Sequence, residues 1–203
     1  MQTTAHDIAS YVLQSLGPMR SMKLQKIIYY GQAWSLAWSG NPLFAEPIQA
    51  WKDGPITRAL WNRHKGLDVI RKWNGNPDAL SIEQKTVLNR VFAFYGRLSG
   101  NDLSTLTHAE KPWIDARRGL QKHEPGTQEI SHEAMREYYR DANLLVNSGD
   151  LQEMVSNLVR KLPSGEWGTN LKPSLALYSG YAAWVLAPMI CKQAAQSRGV
   201  PNG

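Results

Sequence analysis

At 203 residues the chain is of a size for one domain, or one domain with an appendage, and it can bury a real core. With 42% hydrophobic and 20% charged residues it is composed as a globular protein, which excludes a disordered polymer, and its single cysteine, Cys191, excludes an internal disulfide and a cysteine-based zinc site and fits a reducing cytoplasm. The formal charge of +6 is concentrated: Met19 to Trp73 holds nine basic against three acidic residues, which equals the whole excess.

The elements follow in chain order. Thr4-x-x-Asp7 has the form of a capping box, with Asp in the place of Glu, and opens a helix whose Ile8, Tyr11, Val12 and Leu16 share a face; Gly17-Pro18 stops it. The same N-terminal stretch lacks a basic segment followed by an apolar run, so no signal peptide is expected. A second helix begins near Met22. Its Leu24, Ile27, Ile28, Tyr30, Trp34, Ala37 and Trp38 cover more than half of the helical wheel, as in a helix touched on several sides. Lys26, Tyr29 and Gln32 hold the narrower polar side. Gly40-Asn41-Pro42 ends this helix, and Glu46–Trp51 alternates weakly, as a short strand does. Gly54-Pro55 is read as restarting a helix to about Lys65, because Pro at a first helical position gives up no needed hydrogen bond.

Residues 66–80 read as a loop. Ser81-x-x-Gln84 is a capping box for a helix to about Leu98, and shorter helices are expected around Leu103–Thr107 and Lys111–Arg118. A two-residue strand at Glu129-Ile130 could pair with Ile48, and Ser131 caps a helix from His132 to about Leu145. Beyond it, helices are expected from about Leu151 to Leu162 and from Pro173 onward. The fold class is therefore mainly helical, with at most a small two-stranded β element and a C-terminal helical extension.

Residues that could carry chemistry have structural readings beside them. No glycine-rich phosphate loop and no H-E-x-x-H motif occurs, and no two histidines stand at i, i+4. His132-Glu133 reads as the acidic first turn of a helix rather than a metal site. Thr107-x-x-Glu110 puts a carboxylate near His108, but it also fits a capping box, and the cap is the preferred reading. Cys191, in an apolar run, reads as an inert thiol. No catalytic residue, metal ligand or cofactor is expected. The basic segment can be a steering face for an acidic partner, a nucleic-acid contact, or a solvated surface.

Three blocks, "MKLQKIIYYGQAWSLAWSGNPLF" with "IQAWKDGPI", then "LSTLTHAEKPWIDAR", then "EISHEAMREYY", together resemble in order and spacing the Panacea domain family, which includes GepA and the SocA-like proteins of phages and bacterial genomes. The resemblance covers about Thr4 to Asn143, giving an expected domain over 4–146 and an extension over 147–203. The departures are small: Gly31 stands where Ala is common, and Ile56 where Val is frequent. The resemblance implies a cytoplasmic, non-enzymatic antitoxin of a type II toxin–antitoxin pair that binds a cognate protein toxin directly. The alternative it implies is an adaptor that delivers the toxin to an ATP-dependent protease. Nucleic acid and membrane are not the expected partners, and a homo-oligomer stays open.

Within the family motifs, Leu24, Gln25, Tyr30, Trp34, Trp51, Gly54, Pro55, Leu103, Thr107, Pro112 and Trp113 read as structural. His108 reads as a hydrogen-bonded linker between helices or as a partner contact. Lys23, Lys26, Tyr29, Gln32, Arg58 and Arg63 are the candidates for a partner-binding surface. A last candidate is the uncharged run Pro173–Cys191, flanked by Lys172 and Lys192. It is near membrane-span length, yet contains Pro188 and Gly180. It can pack on the domain, lie on a membrane, or present Tyr178, Tyr181 and Trp184 to a toxin or a second copy.

Overall fold

The computed structural model describes residues 2–121 and 123–147, with side chains through Asp141. The expected helices after Leu151, and with them Tyr178, Tyr181, Trp184 and Cys191, lie outside the described residues.

The order of elements is α1 (Ala5–Leu16), β1 (Met19–Arg20), α2 (Ser21–Ser39), β2 (Ile48–Trp51), β3 (Gly54–Thr57), α3 (Arg58–His64), β4 (Val69–Ile70), α4 (Ile82–Tyr95), α5 (Gly100–His108), α6 (Lys111–Ala116) and α7 (His132–Asn147), with a 3-10 turn at Pro77–Ala79. The fold is mainly helical, and two small two-stranded sheets, β1–β4 and β2–β3, are added to it.

Local rules set most helix starts. Thr4 and Asp7 cap each other's backbone at the head of α1, Ser81 and Gln84 do so at α4, and Ser99 with Asp102 forms a third capping box at α5. Ser131 Oγ accepts from Ala134 N at the head of α7. Helix α2 is the axis of the domain: α1, α4, α5, α7 and β3 all pack on it. Thirteen of its nineteen residues, the unbroken run from Leu24 to Leu36, are buried. An isolated amphipathic helix shows water one face, whereas a helix enclosed by neighbours on all sides shows it none. Gly31 contributes to this enclosure. A methyl group there would lie 2.9 Å from Leu88 Cδ2 and 3.2 Å from Leu43 Cδ1, so the bare backbone lets α4 and the 40s segment close on α2.

The stretch after Trp51 differs from its sequence reading. Gly54-Pro55 does not open a helix; it enters β3, and the helix starts only at Arg58. Gly54, at φ 101°, turns the chain back so that Trp51 faces Gly54 and Ala50 faces Pro55. Pro55 is tolerated there because the ladder asks no hydrogen bond of it. The N–H of its partner Ala50 points the other way and donates to Gln128 O at 2.8 Å. That outward edge of β2 also receives Ile130 N at Ile48 O, 2.8 Å, so the expected pairing of Ile48 with Ile130 exists as a short bridge beside a hairpin that the sequence did not disclose.

Candidate functional site

The three residues read as the polar side of α2 are buried, which overturns their expected exposure. Lys26, Tyr29 and Gln32 are each 0% exposed. Each polar tip meets a group from a distant part of the chain. Gln32 Oε1 accepts from Leu43 N (2.8 Å) and Phe44 N (3.3 Å), and its Nε2 donates to Phe44 O (2.9 Å) and lies 3.0 Å from His132 Nε2. Gln25 does the same service about two turns earlier: Oε1 accepts from Thr57 N at 2.8 Å, and Nε2 lies 2.8 Å from His64 Nε2. Both glutamines thus complete the hydrogen bonding of backbone, at the 40s segment and at the end of β3, that would otherwise be buried unpaired.

Lys26 donates to Pro55 O at 3.1 Å, beneath the hairpin turn. Burial pulls its ammonium down to about 7, a shift that Asp53 partly opposes. A Cβ on Gly54 would lie 2.7 Å from Lys26 Cε, so glycine is needed here for space as well as for its φ.

Tyr29 belongs to a second cluster, around Glu110. The Thr107-x-x-Glu110 capping box is not formed: Glu110 is the N-cap of α6 but makes no side-chain cap. Thr107 Oγ1 donates instead to Ser104 O at 2.9 Å. Glu110 turns inward, 1% exposed, and accepts from Tyr30 at 2.9 Å, Tyr139 at 2.5 Å and Tyr29 at 3.4 Å. Burial pushes its carboxyl up to about 8 despite the three hydroxyl donors, and the hydroxyls of Tyr29, Tyr30 and Tyr139 are raised well above their ordinary range by burial and by Glu110 itself. This cluster joins α2, α6 and α7. Closed on every side, it is a structural knot rather than a place where a substrate could enter. Tyr139 and Arg117 are among the buried polar residues that the sequence pattern did not single out, as are Thr57, His64 and Asp102. Arg117 Nη1 donates to Ala50 O at 2.9 Å, tying α6 to the hairpin.

His108 holds two backbone segments together. Its Nδ1 lies 2.6 Å from Ser104 O and its Nε2 lies 2.8 Å from Lys52 O, while its ring meets Trp113 edge-on. Trp113 in turn donates to Trp51 O at 2.9 Å. Leu24, Gln25, Tyr30, Trp34, Gly54, Pro55, Leu103, Thr107, Pro112 and Trp113 are all buried; Trp51 is half-buried.

Of the remaining surface candidates, Lys23 is half-buried and donates to Gly96 O at 2.7 Å, capping the end of α4. Arg58 and Arg63 are exposed on α3. They border two cavities that lie side by side. The larger, about 550 Å³, opens between the start of α2, the β2–β3 hairpin, α3 and residues 125–127, and Trp51, Trp61, Met22 and Ile56 form much of its wall. The smaller, about 390 Å³, is bounded by Arg63, Ile70, Lys72 and Trp73. Leu67 lines both and is 56% exposed. Among the described residues no group of three or more His, Cys, Asp and Glu gathers as a metal site, and no helix is long and apolar enough to cross a membrane.

No curated protein and no solved structure matches the chain significantly. A family model does match: residues 24–114, from the buried start of α2 to the middle of α6, fit the one described as antitoxin SocA-like, Panacea domain.

Proposed function

We propose that the protein is an antitoxin that neutralises a cognate toxin in the cytoplasm by direct, stoichiometric binding, without turnover of its own. The family match supports an antitoxin role and hence a toxin partner. The observation that carries binding over catalysis is where the ionisable groups sit. Lys26 and Glu110, both strongly shifted from their ordinary values, are sealed inside the fold and bound to structural partners. What the surface offers instead is an exposed Leu67 between a largely apolar cavity and a smaller mixed one, with cations around them that make no ion pair among the described residues, which is the composition of a contact face.

The test is growth rescue. The reading frame beside this gene is expressed alone and should arrest growth; co-expression of the full chain should restore it, and the two purified proteins should form a stoichiometric complex. Inhibition by occupancy calls for tight binding, about −12 kcal/mol at nanomolar Kd. Rescue should persist in a strain lacking the ATP-dependent proteases. If rescue is lost there while the complex still forms, the protein is an adaptor for degradation rather than an inhibitor.

A further inference from the structure

We propose that the paired cavities on either side of Leu67 dock an acidic segment of the partner protein, which seats one bulky apolar side chain in each. This rests on the antitoxin reading for the partner's identity, but the surface itself is read from the molecule.

Lys52, Arg58 and Lys65 border the larger cavity, Arg63 and Lys72 the smaller, and all five are exposed. The one acid in either lining is Asp53. None of the five cations is among the ion pairs of the described residues, which lie elsewhere, at Arg20–Asp68 and along α6 and α7. Five cations against one acid on one face repel each other, and an acidic partner relieves that repulsion while being steered to the site.

Both cavities are of the volume that binding pockets have; the wall of the larger is mostly apolar, the smaller sets Ile70 and Trp73 beside the polar Arg63, Lys72 and Asn74, and the ridge between them is Leu67, with Val69 exposed close by in sequence at 42%. An apolar centre inside a charged rim is the anatomy of a protein contact.

Nucleic acid fits less well. A single strand needs open aromatic faces to stack its bases, and the rings here are occupied. Trp51 packs on Trp61 at 5.0 Å, Lys65 Nζ sits 5.9 Å over the Trp61 ring, and Trp73 stacks on His6 at 5.8 Å. The chain's own apolar run, Pro173–Cys191, contains no acid and does not complement the rim.

The experiment pans a random peptide display library on the full chain. Peptides that combine Asp or Glu with at least two of Trp, Phe and Leu should enrich, and they should bind Leu67→Arg and the double variant Arg58→Glu/Arg63→Glu about tenfold more weakly or worse. These side chains are exposed, so melting should match the wild type; if either variant melts low, Lys52→Glu with Lys72→Glu replaces it. Enrichment of peptides without acids, equal binding to the variants, or no enrichment overturns the proposal. So does steeply salt-dependent binding of random duplex DNA that is lost in the double variant, which would make the face a nucleic-acid contact. Growth rescue separates the two readings. If wild type and variants rescue alike, docking here is wrong and the antitoxin reading stands. If nothing rescues but acidic peptides still select this face, the surface stands and the antitoxin reading falls.

Discussion

Glu110→Gln isolates the energetic consequence of burying a carboxyl among tyrosines. In the unfolded chain the carboxyl has its ordinary value of 4.5, and in the fold burial raises it to about 8. Between those values the folded state holds a proton that the unfolded state has released. Stability from this group is therefore complete below about pH 4.5 and is lost as pH rises through about 8. At about 1.4 kcal/mol per unit, the loss is about 3 kcal/mol by pH 7 and approaches about 5 kcal/mol at full ionisation. Gln keeps the shape and an acceptor for Tyr30, and its amide can donate to the Tyr139 hydroxyl, but it has no proton to lose. The tyrosines stay protonated throughout, because their own values are raised well above 10. Denaturant unfolding of both proteins from about pH 5 to about pH 9 should show the wild type losing about 4 kcal/mol relative to the variant. Subtracting the two curves cancels every other titrating group. Curves that stay parallel within about 1 kcal/mol would refute the reasoning, since the carboxyl would then ionise in the fold as freely as in water.

Lys26→Met should give the opposite slope: the folded ammonium, held near 7 against 10.5 unfolded, makes the wild type gain about 2 kcal/mol on the variant between about pH 7 and pH 9, as the same unfolding curves would report. Gly54→Ala should cost about 2 kcal/mol or more in thermal melting, since it combines a φ of 101° with a methyl 2.7 Å from Lys26 Cε and 3.0 Å from Thr107 Oγ1. Thr57→Val should melt no lower than wild type, because the buried Thr57 hydroxyl has no hydrogen-bond partner among the described residues while the backbone bond to Gln25 is kept; a loss above about 1 kcal/mol would mean that the hydroxyl is paired after all.

What could be read from the sequence is what short-range chemistry decides. Thr4 with Asp7 and Ser81 with Gln84 fix helix starts through groups three residues apart, and the apolar breadth of α2 announces a helix with neighbours on several sides. Arg58 and Arg63 lie exposed on α3, as charged side chains do where the fold supplies no partner, whereas the guanidinium of Arg117 is buried on backbone carbonyls. Lys26, Tyr29 and Gln32 could not be placed, because a polar residue is buried only where the fold supplies a partner. Those partners, Pro55 O, Glu110 and Phe44 O, arrive from 29, 81 and 12 residues away. Thr107-x-x-Glu110 shows the same limit from the other side. The spacing permits a local cap, but in the fold the carboxyl turns inward to three tyrosine hydroxyls from α2 and α7, and only the packing of those helices brings them together. The cavities beside Leu67 belong wholly to the tertiary structure, for their walls come from α2, the hairpin, α3 and the segments around Leu67 and Gly126, and no local pattern records that these meet.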